Sequence, residues 1–244
     1  MDNALISFLV VLVLSPVFWL QGKYVRFVTT KLPEPTGKRV GRQGKGEVRT
    51  LLITGDSAAA GVGVAYQQHA LSGQLVDELA QQLEVNWCLE AKNGDNSFDL
   101  LKRLQKITAF EVNYAVISIG VNDVTQQTTS QQWLENIEKI IVLLQNKFHT
   151  QHILFTKLPP VHAFPALPNP LRWWLGERAK KLNQLLQIKI AKYPAVEFVD
   201  IPFEFNLNMM AVDGFHPGSA AYKIWGKDMA SRIMIIEQAA KTVA

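Results

Sequence analysis

Along the chain, short continuous apolar runs alternate with stretches in which apolar residues recur every three or four positions. The continuous runs are 48–54, 85–91, 114–120, 152–158 and 196–201, bounded by the Gly, Pro, Asn and Asp residues that end strands. Helical periodicity covers 69–83, 97–107, 130–148 and 172–192, with a last helix at 219–240. Strands without a polar face, separated by helices, predict a parallel sheet covered on both sides. Ligands of such sheets bind beyond the carboxyl ends of the strands, so the loops after each run are where chemistry is expected. No repeat of solenoid length is present.

Two N-terminal segments fall outside this pattern. Residues 4–20 (ALISFLVVLVLSPVFWL) carry no charge, and as a helix they cover roughly 25 Å, near the lower limit for crossing a bilayer. A cleaved signal peptide is the alternative; it needs a basic start and a small-x-small site, yet only Asp2 precedes the run and no such site follows. The expectation is therefore an uncleaved single-pass anchor over 1–22, with Trp19 and Tyr24 at the interface. Lys23, Arg26 and Lys31 follow it, and positive flanks stay in the cytoplasm, which places the folded domain on that side. Residues 33–47 are rich in Pro, Gly and charge, and read as a linker. The resulting division is an anchor (1–22), a basic linker (23–47) and a folded domain (48–244).

Composition changes this picture in three places. The net charge of +4 is local: residues 21–50 hold eight basic residues against Glu34 and Glu47, whereas the chain from Leu51 onward holds 17 basic and 18 acidic. A basic stretch next to an apolar one points to anionic lipid, so membrane lipid is the expected partner of residues 4–20 and 23–49. A nucleic-acid binder would carry its basic residues and a recognition motif on the folded domain; with neither present, nucleic acid is not an expected partner. Cys88 is the one cysteine, which excludes an intrachain disulfide, and no Cys/His cluster has metal spacing. Within the apolar residues 85–89, Cys88 reads as a buried, unreactive thiol.

The strand-end loops carry the candidate chemistry. After the first run comes Gly55-Asp56-Ser57-Ala58-Ala59-Ala60-Gly61, where a serine on a sharp turn presents its hydroxyl at the top of the sheet. A helix-capping serine is the plain alternative. Gly61 and Gly63 do not make a dinucleotide loop, because Tyr66 stands where its third glycine belongs. After the second run, Gly94 in Asn93-Gly94-Asp95-Asn96-Ser97 can offer its N–H to a substrate oxygen, or simply form a turn. After the third, Asn122 in Gly120-Val121-Asn122-Asp123 offers a neutral amide donor for an oxyanion, or caps a turn. In Asp213-Gly214-Phe215-His216-Pro217 a carboxylate three residues before a histidine can take its Nδ1 proton and leave Nε2 facing Ser57. Each loop alone has a structural reading. Together they place a serine, two donors and an Asp/His pair on one rim.

This ordered set resembles the SGNH/GDSL hydrolases. Gly55-Asp56-Ser57 matches the family's first block, with Ala58 where leucine is usual; Gly94 matches the second, Gly120-Val121-Asn122-Asp123 the third, and Asp213-Gly214-Phe215-His216-Pro217 the fifth. Gly94-Asp95-Asn96-Ser97 is similar to the Gly-Asp-Thr-Ser of the thioesterase I/lysophospholipase branch. The resemblance covers about residues 48–240. It implies a three-layer α/β/α, flavodoxin-like fold with five parallel strands in the order 2-1-3-4-5, and no cofactor or metal. It assigns Ser57 as nucleophile, His216 as base and Asp213 as its orienting carboxylate. The oxyanion hole it implies comprises the Ser57 and Gly94 N–H groups and the Asn122 side chain, while Asp56 and Asp123 brace loops. The expected reaction is cleavage of an acyl ester by a monomeric domain, as a lipid-type esterase or lysophospholipase. An O-acetylesterase acting on a glycan is the alternative, and a tethered binding module the non-enzymatic one. Residues 159–174, with Phe164, Leu167, Trp173 and Trp174, are expected on the same rim, lining an acyl pocket, touching a bilayer or packing into the core.

Overall fold

The computed structural model describes residues 3–202 and 207–243, with side chains over 12–202 and 208–242. After a helix α1 (Asn3–Val28), the chain forms strands β1 (Val40–Gly44) and β2 (Val48–Gly55), a short helix α2 (Ser57–Ala60), α3 (Leu71–Leu79) and β3 (Glu84–Ala91). There follow α4 (Ser97–Lys106), β4 (Tyr114–Ser118), α5 (Val121–Thr125), α6 (Ser130–Lys147) and β5 (His152–Thr156). The chain closes with α7 (Leu171–Ile190), β6 (Val196–Val199) and α8 (Ser219–Val243).

The sheet runs β1-β3-β2-β4-β5-β6. Its last five strands are parallel and stand in the expected crossover order, with β2 between β3 and β4. Alternate residues of the central strands β2, β4 and β5 face opposite helical layers, which is why those strands read as nearly continuous apolar runs. Leu52, Ala115, Ile117, Ile153 and Phe155 pack against α4, α6 and α7. Leu51, Ile53, Val116 and Leu154 face α3 and α8, where Leu75, Leu79, Tyr222, Met229 and Ile233 close the second core. Helix caps fix two helices of the first layer: Asn96 closes a capping box with Asp99 at α4, and Thr129 another with Gln132 at α6.

Two expectations need correction. The sheet has six strands and is mixed, because β1 pairs antiparallel with β3, from Val40 against Cys88 to Gly44 against Glu84. This strand comes from the segment read as linker, and three arginines in and beside it pair with carboxylates of the fold. Arg39 bonds Glu34, Arg42 bonds Glu84, and Arg49 bonds Glu47 and the buried Glu237.

The single-pass anchor is also overturned: among the described residues, no helix is long and apolar enough to cross a membrane. Lys23 and Arg26 lie within α1 itself, and its second half turns Phe18 and Val25 into the domain core, with Leu14 packed against it. The side chains of residues 4–11 in the expected anchor lie outside the described residues. With the anchor goes the cytoplasmic placement drawn from its flanking charges. Cys88 is half-buried, and burial pushes its thiol up to about 11, so it is a poor thiolate.

Trp133 on α6 is fully buried and donates its indole N–H to the Leu182 carbonyl at 3.3 Å. Trp133→Ala is expected to cost about 3–5 kcal/mol in urea unfolding. A loss under about 1 kcal/mol would show that this core relaxes around the gap.

Candidate active site

The loop that carries Ser57 is built by a glycine and a cap. Gly55 has φ +144°, and a Cβ there would sit 1.8 Å from the Ser118 carbonyl oxygen of the neighbouring strand, so no larger residue lets β2 turn at this point. The Asp56 N–H donates to that same carbonyl at 2.9 Å. The Asp56 side chain accepts the Ala58 N–H at 3.0 Å as N-cap of α2. The capping role weighed for Ser57 therefore falls to Asp56, and Ser57 stands first in the helix with its hydroxyl free to bond elsewhere.

That hydroxyl meets His216. Nε2 of His216 lies 2.9 Å from Ser57 Oγ, and Nδ1 lies 2.6 Å from Asp213 Oδ2. A carboxylate at Nδ1 holds the proton there and leaves the Nε2 lone pair to accept from Ser57. Asp213 is itself fixed, since its Oδ1 accepts the Phe215 and His216 N–H groups at 3.0 Å each. Burial pushes the Asp213 carboxyl up, but the His216 ring and these two N–H groups outweigh it and hold it below the usual carboxylate range. The two loops are pressed together at Gly63 (φ +114°), where a Cβ would lie 2.1 Å from the Pro217 carbonyl oxygen. Tyr222 of α8 adds a buried bond of 2.7 Å to the Val62 carbonyl.

Neighbouring strand ends flank this pair. Gly55 is in register with Ala91 of β3 and Ser118 of β4, so Gly94 and Asn122 follow on either side of Ser57. Gly94 has φ +89° and open space where a Cβ would be. Asn122 Nδ2 donates to the Asp95 carbonyl at 2.9 Å, which orients the amide and leaves its second N–H uncommitted. Asp95 in turn takes Nε and a terminal nitrogen of Arg103 at 2.9 and 2.7 Å. Asp123 accepts the Ser97 N–H and hydroxyl at 2.9 and 2.6 Å and so ties α5 to the start of α4. Burial raises both Asp56, to about 7, and Asp123.

A cavity of about 1140 Å³ opens over Ser57 and His216. Leu158, Phe164, Met210 and Phe215 supply apolar lining, and α7 contributes a more polar side with Lys180, Gln184 and Gln187. Of the aromatics expected on this rim, Phe164 is buried and still lines the cavity, Leu167 packs in the core, Trp173 is half exposed at the wall, and Trp174 stacks on Phe18. His162 lines the wall, packed against Gly176 of α7. Sequence reasoning missed Arg178, which donates to the Val124 and Thr128 carbonyls at 3.2 and 3.1 Å and closes the end of α5. It also missed Asn183, bound to both backbone groups of Leu158 at 2.8 and 3.0 Å. Both act on backbone distant in sequence, and no motif marks them.

The family model described as GDSL-like Lipase/Acylhydrolase matches residues 53–224. No curated protein matches the chain. Among solved structures, the chain is similar to the lipase/acylhydrolase from Enterococcus faecalis, with 22% identity, a TM-score of 0.58, and 76% of this chain and 95% of that one covered. It is similar to Est24, a carbohydrate acetylesterase from Sinorhizobium meliloti, at 16% identity and TM-score 0.57, over 77% of this chain and 99% of that one. A third is Axe2, an acetylxylan esterase from Geobacillus stearothermophilus, at 16% identity and TM-score 0.55, over 78% and 95%.

The raised Asp56 has a consequence for stability. Unfolded, it releases its proton near its ordinary value of 3.8; folded, it holds that proton to about 7. Its contribution is thus full below the lower value and is lost as pH rises through the upper one. Asp56→Asn keeps an oxygen for the Ala58 N–H and has no such proton. Thermal unfolding is expected to show the melting temperature of the variant gaining on that of the parent between about pH 4 and about pH 7. A difference that does not change with pH would contradict this assignment.

Proposed function

The chain belongs to the GDSL-like lipase/acylhydrolase family and is a carboxylic ester hydrolase, and on that premise we propose that Ser57 is its nucleophile, working with His216 and Asp213. The observation that carries this reading is the continuous relay from Asp213 Oδ2 through both ring nitrogens of His216 to Ser57 Oγ, at 2.6 and 2.9 Å.

Ser57 Oγ attacks the ester carbonyl carbon while its proton passes to His216 Nε2. The carbonyl oxygen becomes an oxyanion facing the N–H groups of Ser57 and Gly94 and the free N–H of Asn122. The carbon–oxygen bond to the alcohol then breaks, and His216 returns its proton to the departing oxygen. Water, giving a proton to the same nitrogen, attacks the acyl-Ser57 ester; the bond to Ser57 Oγ breaks, His216 returns the proton to that oxygen, and the acid is released. Asp213 keeps the ring in one tautomer and offsets the positive charge it carries between these steps.

For substrate, we propose an amphiphilic acyl ester of the lysophospholipid kind. The apolar lining by Leu158, Phe164, Met210 and Phe215 supports a place for the acyl group, and the polar side of α7 a place for the alcohol. A second reading, O-acetylesterase on a sugar, draws on that same polar wall and on the similarity to a carbohydrate acetylesterase and an acetylxylan esterase. A p-nitrophenyl ester series separates them: activity that peaks beyond acetyl favours the first, and activity confined to acetyl the second.

Ser57→Ala is expected to abolish turnover and labelling by a fluorophosphonate, while Asn122→Ala lowers kcat by about 10²–10³ without abolishing labelling. Full turnover in Ser57→Ala would refute the assignment.

A further inference from the structure

Helix α1 lies outside the matched family region, which begins at residue 53, yet it bonds a residue that lines the cavity. α7 begins at Leu171 behind Pro170, which has no side chain able to cap it. The first N–H groups of a helix have no partner within it. Gln21 of α1 supplies one from outside: its Oε1 accepts the Leu171 N–H at 3.0 Å, and its Nε2 donates to the Asn169 carbonyl at 2.6 Å. One amide thus grips the chain on both sides of Pro170. A turn earlier on the same face, buried Phe18 stacks on Trp174, with ring centroids 4.8 Å apart and planes 5° from parallel. Asn169, Arg172 and Trp173, interleaved with the residues that α1 grips, line the cavity.

We propose that Gln21 and Phe18 are positioning residues that determine specificity. By pinning the first turns of α7 they set how far the wall of Asn169, Arg172 and Trp173 stands from Ser57, and so which acyl esters fit. The inference rests on the reading of Ser57 as nucleophile only in taking this cavity for the substrate site. Loss of the pin shifts the wall but not Asn122 on α5, because Asn122 bonds the Asp95 carbonyl and Asp123 ties that helix to Ser97 of α4, contacts that involve neither α1 nor α7. The effect therefore falls on KM for esters long enough to meet the wall, and not on kcat for an acetyl ester.

The test uses the full chain and its Gln21→Ala, Gln21→Glu and Phe18→Leu variants, with kcat and KM measured on p-nitrophenyl acetate and octanoate. Gln21→Ala is expected to change KM for octanoate about threefold to tenfold, the worth of a hydrogen bond or two, and to leave kcat for acetate as it was. Gln21→Glu keeps the acceptor for Leu171 and is expected to recover part of the change. Phe18→Leu keeps an apolar group without the stacked ring and is expected to move the same ratio; if this buried change prevents folding, the two variants at half-buried Gln21 decide. An octanoate-to-acetate KM ratio equal to the parent's in folded Gln21→Ala overturns the proposal, even if its melting temperature falls. Equal losses in kcat on both esters overturn it too. Ser57→Ala, run alongside, tests the nucleophile separately: turnover there defeats that reading and leaves the KM ratio as the measure of this one.

Discussion

The hydrogen bond between Ser57 and His216 joins loops 159 residues apart, and the rest of the structure can be understood as what makes it stand. A bond of this length between a hydroxyl and an imidazole needs both loops fixed to a few tenths of an ångström. The parallel sheet brings them to one rim. Gly55 then lets β2 turn hard against Ser118, and Gly63 lets the following loop lie against Pro217, so backbone contacts rather than long side chains set the spacing.

Electrostatics divides the work among three of the buried aspartates, Asp56, Asp123 and Asp213. Asp56 and Asp123 are driven up by burial and answer mainly to N–H and hydroxyl donors of neighbouring turns. Asp213 alone has an imidazole as partner, and is held down despite its burial. Environment thus separates carboxyls of one type into two that brace loops and one suited to stand beside a cation. The same logic extends to α5, where a charged residue, Arg178, is used to satisfy carbonyls rather than to pair with a carboxylate.

Much of this was legible in the sequence because it depends on local pattern. Continuous apolar runs marked all five parallel strands, and four of the loops beyond such runs or before the last helix held the residues that meet or flank Ser57. The edge strand was not legible: Val40-Gly41-Arg42-Gln43-Gly44 has neither apolar character nor alternation, and it is held by backbone pairing to β3 and by arginine–carboxylate contacts. The N-terminal helix was misread because an apolar stretch was judged by length. The stripe of Leu14, Phe18, Gln21 and Val25 turns toward the domain, and only tertiary structure shows what it meets. Gln21, Arg178 and Asn183 bond to backbone, which carries no residue identity, so no motif announces them.

The central claim is that Ser57 forms a covalent ester with the acyl group because His216 takes its proton. The most direct measurement is rapid acid quench of the enzyme during turnover of p-nitrophenyl acetate, followed by peptide mapping. An acetyl group on the peptide containing Ser57 in the parent enzyme, and none in His216→Ala, is the result expected. Steady turnover with no acyl-peptide at any quench time, or an acyl group on another residue, would contradict it.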